Sequence, residues 1–236
     1  MQEQEKVALI TGGGRGMGAA VARELRARGY RLALMSPTNS CTELANELSG
    51  VAHLGCSENH EDIQAIVDLA LTQYGRIDSV VNHTGHPPKG DLLSIEDEQW
   101  RLGAEMIILS VVQMSRLVTP IMESQGGGGA FLNITTFASF EPSLAFPVSC
   151  VFRAGVGAFT KLFADRYAEK GIRMNALLPG FIDSLDHPAE RAETVPMKRI
   201  GTVEEIGKAA AFLLSEDAGY ITGQNIRIDG GMARHI

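Results

Sequence analysis

The sequence predicts an α/β fold: a single-domain, Rossmann-like doubly wound parallel sheet of about seven strands, with helices on both faces. Three observations carry that expectation. Short continuous apolar runs alternate with segments of helical period from one end of the chain to the other. A glycine-rich turn follows the first run directly. No repeat, linker or shift in composition divides residues 1–236, and that length suits one continuous core.

Val7-Ala8-Leu9-Ile10 is unbroken, as in a strand buried on both faces. Met17, Ala20, Val21 and Leu25 follow at the spacing of one helix face, and Leu32-Ala33-Leu34-Met35 forms the second run. Ile63, Ile66, Val67, Ala70, Leu71 and Tyr74 give a helix stripe, with Asn59 placed to cap it. Val80-Val81, Ala130-Phe131-Leu132 and Ala176-Leu177-Leu178 are further strands, separated by predicted helices over 97–124 and 148–170. Thr202-Val203-Glu204-Glu205 opens a helix to about Ser215 as a capping box, and the last strand covers Asn225 to Ile228. Gly126 to Gly129 is a flexible turn.

Composition narrows the function. A net charge of −7, with no lysine or arginine cluster, argues against a nucleic-acid or anionic-membrane partner. Cys41, Cys56 and Cys150 are an odd number at unrelated spacings, so neither a disulfide framework nor a metal site is expected. The acidic start MQEQEK does not read as a secretory leader, and no apolar stretch reaches the roughly 18–20 residues of a membrane span. A cytoplasmic protein is the expectation.

Thr11-Gly12-Gly13-Gly14-Arg15-Gly16-Met17-Gly18 lies between a strand and a helix. Glycines there let backbone approach a pyrophosphate, and the helix start points free N–H groups at its charge. An NAD site usually has an acid about 20 residues further on, accepting from the ribose 2′-hydroxyl. Ser36 stands there instead, followed by Pro37-Thr38-Asn39-Ser40, and Arg15 is placed to pair with a 2′-phosphate. NADP(H) is therefore favoured over NAD(H).

With these motifs the chain resembles the short-chain dehydrogenase/reductase family, in particular its 3-oxoacyl-carrier-protein-reductase-like branch. TGGGRGMG at 11–18 is similar to TGxxxGxG, and Gly75 to Gly85 resembles GxxDxLVNNAG with His83 and Thr84 substituted. Arg173 to Gly180 corresponds to RxNxxxPG, and Arg199-Ile200-Gly201, Ile221 to Gln224 and Asp229-Gly230-Gly231 complete the signature. The nucleotide set implied by this resemblance is Gly12, Gly14, Arg15, Gly16, Met17, Gly18, Ser36, Asn82, Thr84, Gly85, Arg153, Pro179, Gly180, Ile182 and Ser184.

The family's catalytic Asn, Ser, Tyr and Lys are only partly matched. Anchoring on Arg153 to Lys161, which resembles KAGxxxFTK, puts Arg153 at the lysine position and Ser149 at the tyrosine position. Thr136 then stands for the serine and Ile107 for the asparagine, while Gly55 replaces an adenine-contacting aspartate. A phenol near pKa 10 is a workable proton donor and an aliphatic hydroxyl is not. Arginine stays protonated, so Arg153 acts only as a donor and fixed cation. His86, Glu141 and Cys150 are nearby alternatives for chemistry, each also readable as a solvated loop or packing residue.

Three functional readings stay open. The first is an atypical NADP(H)-dependent oxidoreductase, reducing an enone or an unusual carbonyl. The second is a non-catalytic subunit or nucleotide-binding protein, in a homodimer, a homotetramer or a hetero-oligomer with an active relative. The small residues Ala154, Gly155, Gly157 and Ala158 would line its helix interface. A dehalogenase-like lyase is the third. The small-molecule substrate is not legible, and Asp183 to Arg199 is expected as a short polar lid.

Overall fold

The apolar runs become strands: β1 (Val7–Thr11), β2 (Arg31–Ser36), β3 (Val51–Leu54), β4 (Ser79–Asn82), β5 (Gly129–Ile134), β6 (Ile172–Pro179) and β7 (Asn225–Ile228). In the computed structural model, which describes residues 5–234, they form one sheet in the order β3-β2-β1-β4-β5-β6-β7. Every pairing is parallel. The expected Rossmann-like class is what the chain adopts. Residues 1–4, part of the start read above as too acidic for a leader, lie outside the described residues, as do 235–236.

The helices are α1 (Gly16–Ala27), α2 (Ser40–Glu47), α3 (His60–Tyr74), α4 (Asp97–Ala104), α5 (Ser110–Gln125), α6 (Pro147–Tyr167), α7 (Glu190–Thr194) and α8 (Val203–Leu214). They divide the core in two. Val21 and Leu25 of α1, Leu44 of α2 and Ile206 of α8 pack with Ile10, Leu34 and Leu132 on one face. Ile63 and Ile66 of α3, Met114 and Val118 of α5 and Phe163 of α6 pack with Leu9, Met35 and Phe131 on the other. Both faces of each central strand are thus covered, which is why those strands read as unbroken apolar runs.

Two expected helix starts hold in detail. The Asn59 side chain accepts from Glu61 N at 2.8 Å. Thr202 and Glu205 form a reciprocal box, with Glu205 N donating to Thr202 Oγ1 at 3.3 Å and Thr202 N to Glu205 Oε2 at 2.9 Å. Elsewhere the structure corrects the sequence reading. The single helix expected over 97–124 is interrupted by a π-turn at Glu105–Leu109. There the Ser110 hydroxyl donates to the carbonyls of Met106 (2.8 Å) and Ile107 (3.3 Å). A side chain feeding back on the backbone shifts the winding by one residue, which periodicity does not register. The helix expected over 148–170 ends at Tyr167 and continues as a 3₁₀ turn through Lys170. α2 escapes the pattern because it buries only Cys41, Leu44 and Ala45.

By length and composition alone, Asp97–Gln125 is apolar enough to cross a membrane, which corrects the expectation that no segment is. In the fold its buried side chains pack against α3 and α6.

Candidate functional site

Strand order reverses at β1: β2 and β3 lie on one side of it, and β4 to β7 on the other. Loops leaving the C-terminal ends of β1 and β4 therefore diverge around a crevice, where ligands bind in sheets of this kind. The two loops are stitched together. Thr11 Oγ1 donates to His83 O at 2.8 Å and accepts from His83 N at 2.9 Å.

The turn after β1 places Gly12 to Gly18 at the crevice. Gly12 and Gly16 have φ of +60° and +53°, a region that glycine enters without strain. A Cβ on Gly18 would overlap the Gly12 carbonyl oxygen, so the helix start lies directly against the turn. Arg15, the residue preceding α1, gives no side-chain cap, and the first turn has no acid. The helix ladder begins at Ala19 N, which donates to Arg15 O at 3.2 Å. The N–H groups ahead of it face the crevice side of the turn without a capping side chain, a cradle that fits a phosphate. Met17 sits in this turn and packs its side chain against the core.

Ser36 ends β2, and its hydroxyl donates to Thr38 O at 3.0 Å. Arg15 Nη2 reaches Thr38 Oγ1 at 3.4 Å, and Thr38 Oγ1 lies 2.8 Å from Ser40 Oγ. Gly14 leaves the space into which Ser40 projects, since a Cβ there would overlap the Ser40 hydroxyl. Thr38 and Ser40 were not singled out from the sequence; the hydroxyl-rich run after β2 was the signal.

Gly55 was read as a lost carboxylate position. A Cβ on Gly55 would lie 2.6 Å from Asp62 Cγ, so the Asp62 side chain from α3 occupies that space. Asp62 Oδ2 accepts from Cys56 N at 2.9 Å, and Oδ1 lies 3.1 Å from His53 Nε2.

β5 and α6 supply the other side of the crevice. Thr136 follows β5 and starts a tight turn, accepting from Ala138 N at 3.4 Å. Ser149 and Arg153 are one helical turn apart on α6, and Arg153 Nε donates to Ser149 Oγ at 3.1 Å. Its Nη1 donates to Ile134 O at 2.8 Å and its Nη2 to Gly85 O at 3.4 Å. One guanidinium thus ties α6 to the ends of β4 and β5. Arg153 is 7% exposed, and burial lowers its pKa to about 10, so it remains a cation at neutral pH. Beneath it, a polar chain runs from Asn82 Nδ2 to Asn133 Oδ1 (2.8 Å) and from Asn133 Nδ2 to Thr160 Oγ1 (3.0 Å). The pairing of Asn82 with Asn133 across β4 and β5 makes that contact automatic. A cavity of about 20 Å³, room for one water, adjoins Asn82, Ser110, Thr135 and Arg153. Ile107 lines it from the π-turn and packs with Val111 and Val156.

Thr84 Oγ1 is 3.0 Å from Ser57 Oγ, fixing the turn that carries Gly85. Pro179 ends β6, and Gly180 N donates to Ile228 O at 2.9 Å. Ile182 bridges to Gly201, and Ser184 Cβ lies 3.2 Å from where a Gly16 Cβ would be. The loop after β6 therefore meets the start of α1. That lid is more organised than the polar coil expected. It contains α7, and Phe181 packs on His187 (5.5 Å) and Phe137 (5.7 Å), with Arg191 4.7 Å over its ring.

Of the alternative groups, Cys150 lies buried with its Sγ 3.4 Å from Ser143 N, and Glu141 accepts from Arg234 N. The chain's tyrosines stand apart from Ser149. Tyr74 hydrogen-bonds Leu32 O, Tyr167 stacks on Phe163, and Tyr30 and Tyr220 line a cleft at the opposite ends of the strands.

His83 was noted only as a substitution. Its ring lies against Gly12, with Nδ1 3.4 Å from the Gly12 carbonyl. Burial, and then the charge of Arg153, push its pKa down to about 4. A depressed histidine stabilises the fold above its unfolded pKa of about 6.5, and that contribution is lost as pH falls toward 4. The melting temperature is expected to drop across pH 6.5 to 4, and His83→Gln to flatten part of that drop. An unchanged pH profile in the variant would contradict this.

The family described as enoyl-(acyl carrier protein) reductase matches residues 12–233. Among curated proteins, the 3-oxoacyl-(acyl-carrier-protein) reductase FabG of Escherichia coli K12 is 30% identical over 245 residues, covering 98% of this chain and 99% of that protein. Its Haemophilus influenzae counterpart is 30% identical over 239 residues, covering 97% and 98%. Among solved structures, the L-sorbose reductase of Gluconobacter frateurii, complexed with NADPH and L-sorbose, superposes with a TM-score of 0.92 at 25% identity, covering 99% of this chain and 98% of that one. A short chain dehydrogenase from Bacillus anthracis gives 0.91 at 28%, covering 98% of each. With these relatives matched along nearly its whole length, the chain belongs to the short-chain dehydrogenase/reductase family of oxidoreductases.

Proposed function

We propose that this chain is an NADP(H)-dependent oxidoreductase that lacks the family's tyrosine acid and reduces an enone or an unusual carbonyl. The observation that carries the reading is the convergence of two features on one crevice: an uncapped helix start behind Gly12 to Gly18, and the buried Arg153–Ser149 pair opposite it. Bound NADPH would supply the hydride. Thr136, Ser149 and Arg153 would polarise the acceptor oxygen and hold the negative charge that develops on it. None of the three is a good acid near neutral pH, so the closing proton comes from water. Conjugate reduction suits such a site, because the enolate it forms is far less basic than an alkoxide.

The preference for the 2′-phosphorylated cofactor rests on Arg15, Ser36, Thr38 and Ser40, a guanidinium and three hydroxyls gathered after β1 and β2. The NADPH found with the sorbose reductase agrees with it. Arg15→Met is expected to weaken NADPH binding about tenfold or more, since hydrogen bonds to charged groups contribute about 1.5–3 kcal/mol. NADH binding should stay unchanged. Calorimetry of both cofactors decides; equal losses for the two would remove the argument.

NADPH titration followed by single-turnover oxidation against a panel of ketones and enones tests the whole reading. Absence of binding overturns it. Binding without oxidation favours a second reading, a nucleotide-binding subunit that pairs with itself or an active relative. What favours that reading is the outer face of the α4–α6 layer, where Leu109, Val151 and Leu162 are exposed at 44%, 53% and 67%. Ala154 and Ala158 lie between the last two and allow close helix packing. A homodimer or homotetramer through this face is part of the proposal under either reading.

A further inference from the structure

The charge at the α6 side of the crevice is one-sided. Arg153 is more than nine-tenths buried, yet its three hydrogen bonds go to a hydroxyl and two backbone carbonyls. No described carboxylate pairs with it, and two of its five N–H donors have no protein acceptor. A buried, uncompensated cation is costly unless a counter-charge arrives with a ligand.

The neighbouring groups add to the imbalance. Gly85, whose carbonyl Arg153 touches, is followed by exposed His86 and by Lys89 on the same loop. The charged and titratable groups acting on His86 are Lys89 and Arg153, which, after partial burial, lower its pKa. His83, on the inner side, feels Arg153 and His86 in the same sense. The chain as a whole carries −7, so this positive mouth is a local inversion, and a cleft of that kind concentrates anions. The phosphate cradle does not account for it, because that cradle lies at the start of α1 while these groups belong to α6 and the loop after β4.

We infer that the substrate is an anion, a small carboxylic acid whose carboxylate neighbours the carbonyl or enone being reduced. This rests on the oxidoreductase reading above and names the class of compound it takes. In the step itself the substrate carbon accepts hydride and the substrate oxygen or α-carbon accepts a proton from water, with NADPH oxidised to NADP⁺. The carboxylate is unchanged and serves to place the molecule.

The test uses the full chain and matched pairs that differ only in charge: 2-oxo acids and 4-oxo-2-enoic acids, each against its carboxamide. Two readouts are taken, calorimetric binding to the NADP⁺-loaded protein and single-turnover oxidation of NADPH. Acids are expected to bind at least about tenfold more tightly than their amides. That advantage should shrink as salt is raised and should fall severalfold in Lys89→Gln/His86→Asn, whose altered side chains lie at the surface. Amides binding as well as acids, or an advantage untouched by both salt and the double variant, would overturn the inference. If acids bind selectively and nothing in the panel oxidises NADPH, the oxidoreductase reading fails while the anion site stands. If amides are reduced and acids are not, the reverse holds.

Discussion

Gly18→Ala is expected to abolish NADPH binding, lowering affinity by at least about a hundredfold, a loss of roughly 2.7 kcal/mol. The added methyl would overlap the Gly12 carbonyl oxygen, with the Gly12 carbonyl carbon and Gly13 Cα close behind. Relief requires pushing the helix start away from the turn, and the aligned N–H groups move with it. Overpacking of this kind also costs about 1–3 kcal/mol of stability. Calorimetric titration measures the binding loss, and circular dichroism with thermal melting checks that the variant still folds. Gly127→Ala serves as the control, since a Cβ there meets nothing within 4 Å and its backbone is not left-handed. A Gly18→Ala protein that binds within threefold of the parent would mean that the cradle is not where the coenzyme phosphates sit.

Ser149→Tyr combined with Arg153→Lys is expected to raise ketone reduction by about 10²–10⁴-fold, the usual contribution of a placed general acid. Both exchanges are needed. Arg153 bonds Ser149 Oγ, Ile134 O and Gly85 O, so its guanidinium fills the space beside Ser149 that a phenol and an ammonium would share. Ser149→Tyr alone should therefore gain far less. The new activity should fall as pH rises through the phenol's pKa, because only the protonated form donates. Single-turnover NADPH oxidation with a simple ketone, followed across pH, gives the answer. No gain in a folded double variant that binds NADPH would show that the remaining pocket cannot seat a ketone, and would favour the subunit reading.

The fold was legible because each central strand is buried on both faces and each large helix on one, and burial writes its period into the sequence. The Asn59 and Thr202 starts were legible for a local reason: a cap needs only residues a few positions apart. The convergence of Gly12, Ser36, Gly85, Arg153 and Ser184 on one crevice followed from sheet order once the motifs were placed. What the sequence hid depends on contacts between distant segments. Asp62 covers Gly55 from another element, His83 packs on Gly12 across the strand-order reversal, and Arg153 lacks a carboxylate partner. Each is a pairing, or the lack of one, that no spacing rule states. The π-turn at 105–109 was invisible for a different reason, since apolar residues continue through it without a break.

That turn has a mechanical consequence. One surplus residue puts side chains before and after it about 100° out of phase on the same rod. The first half can therefore present Trp100 edge-on to Phe152, 5.9 Å away on α6, while the second half aims Met114 and Val118 at the layer containing α3. A single rod keeps two allegiances, and the point where it changes sides stands beside Arg153. Deleting any one residue between 105 and 109 would realign the halves and force it to give up one of its neighbours.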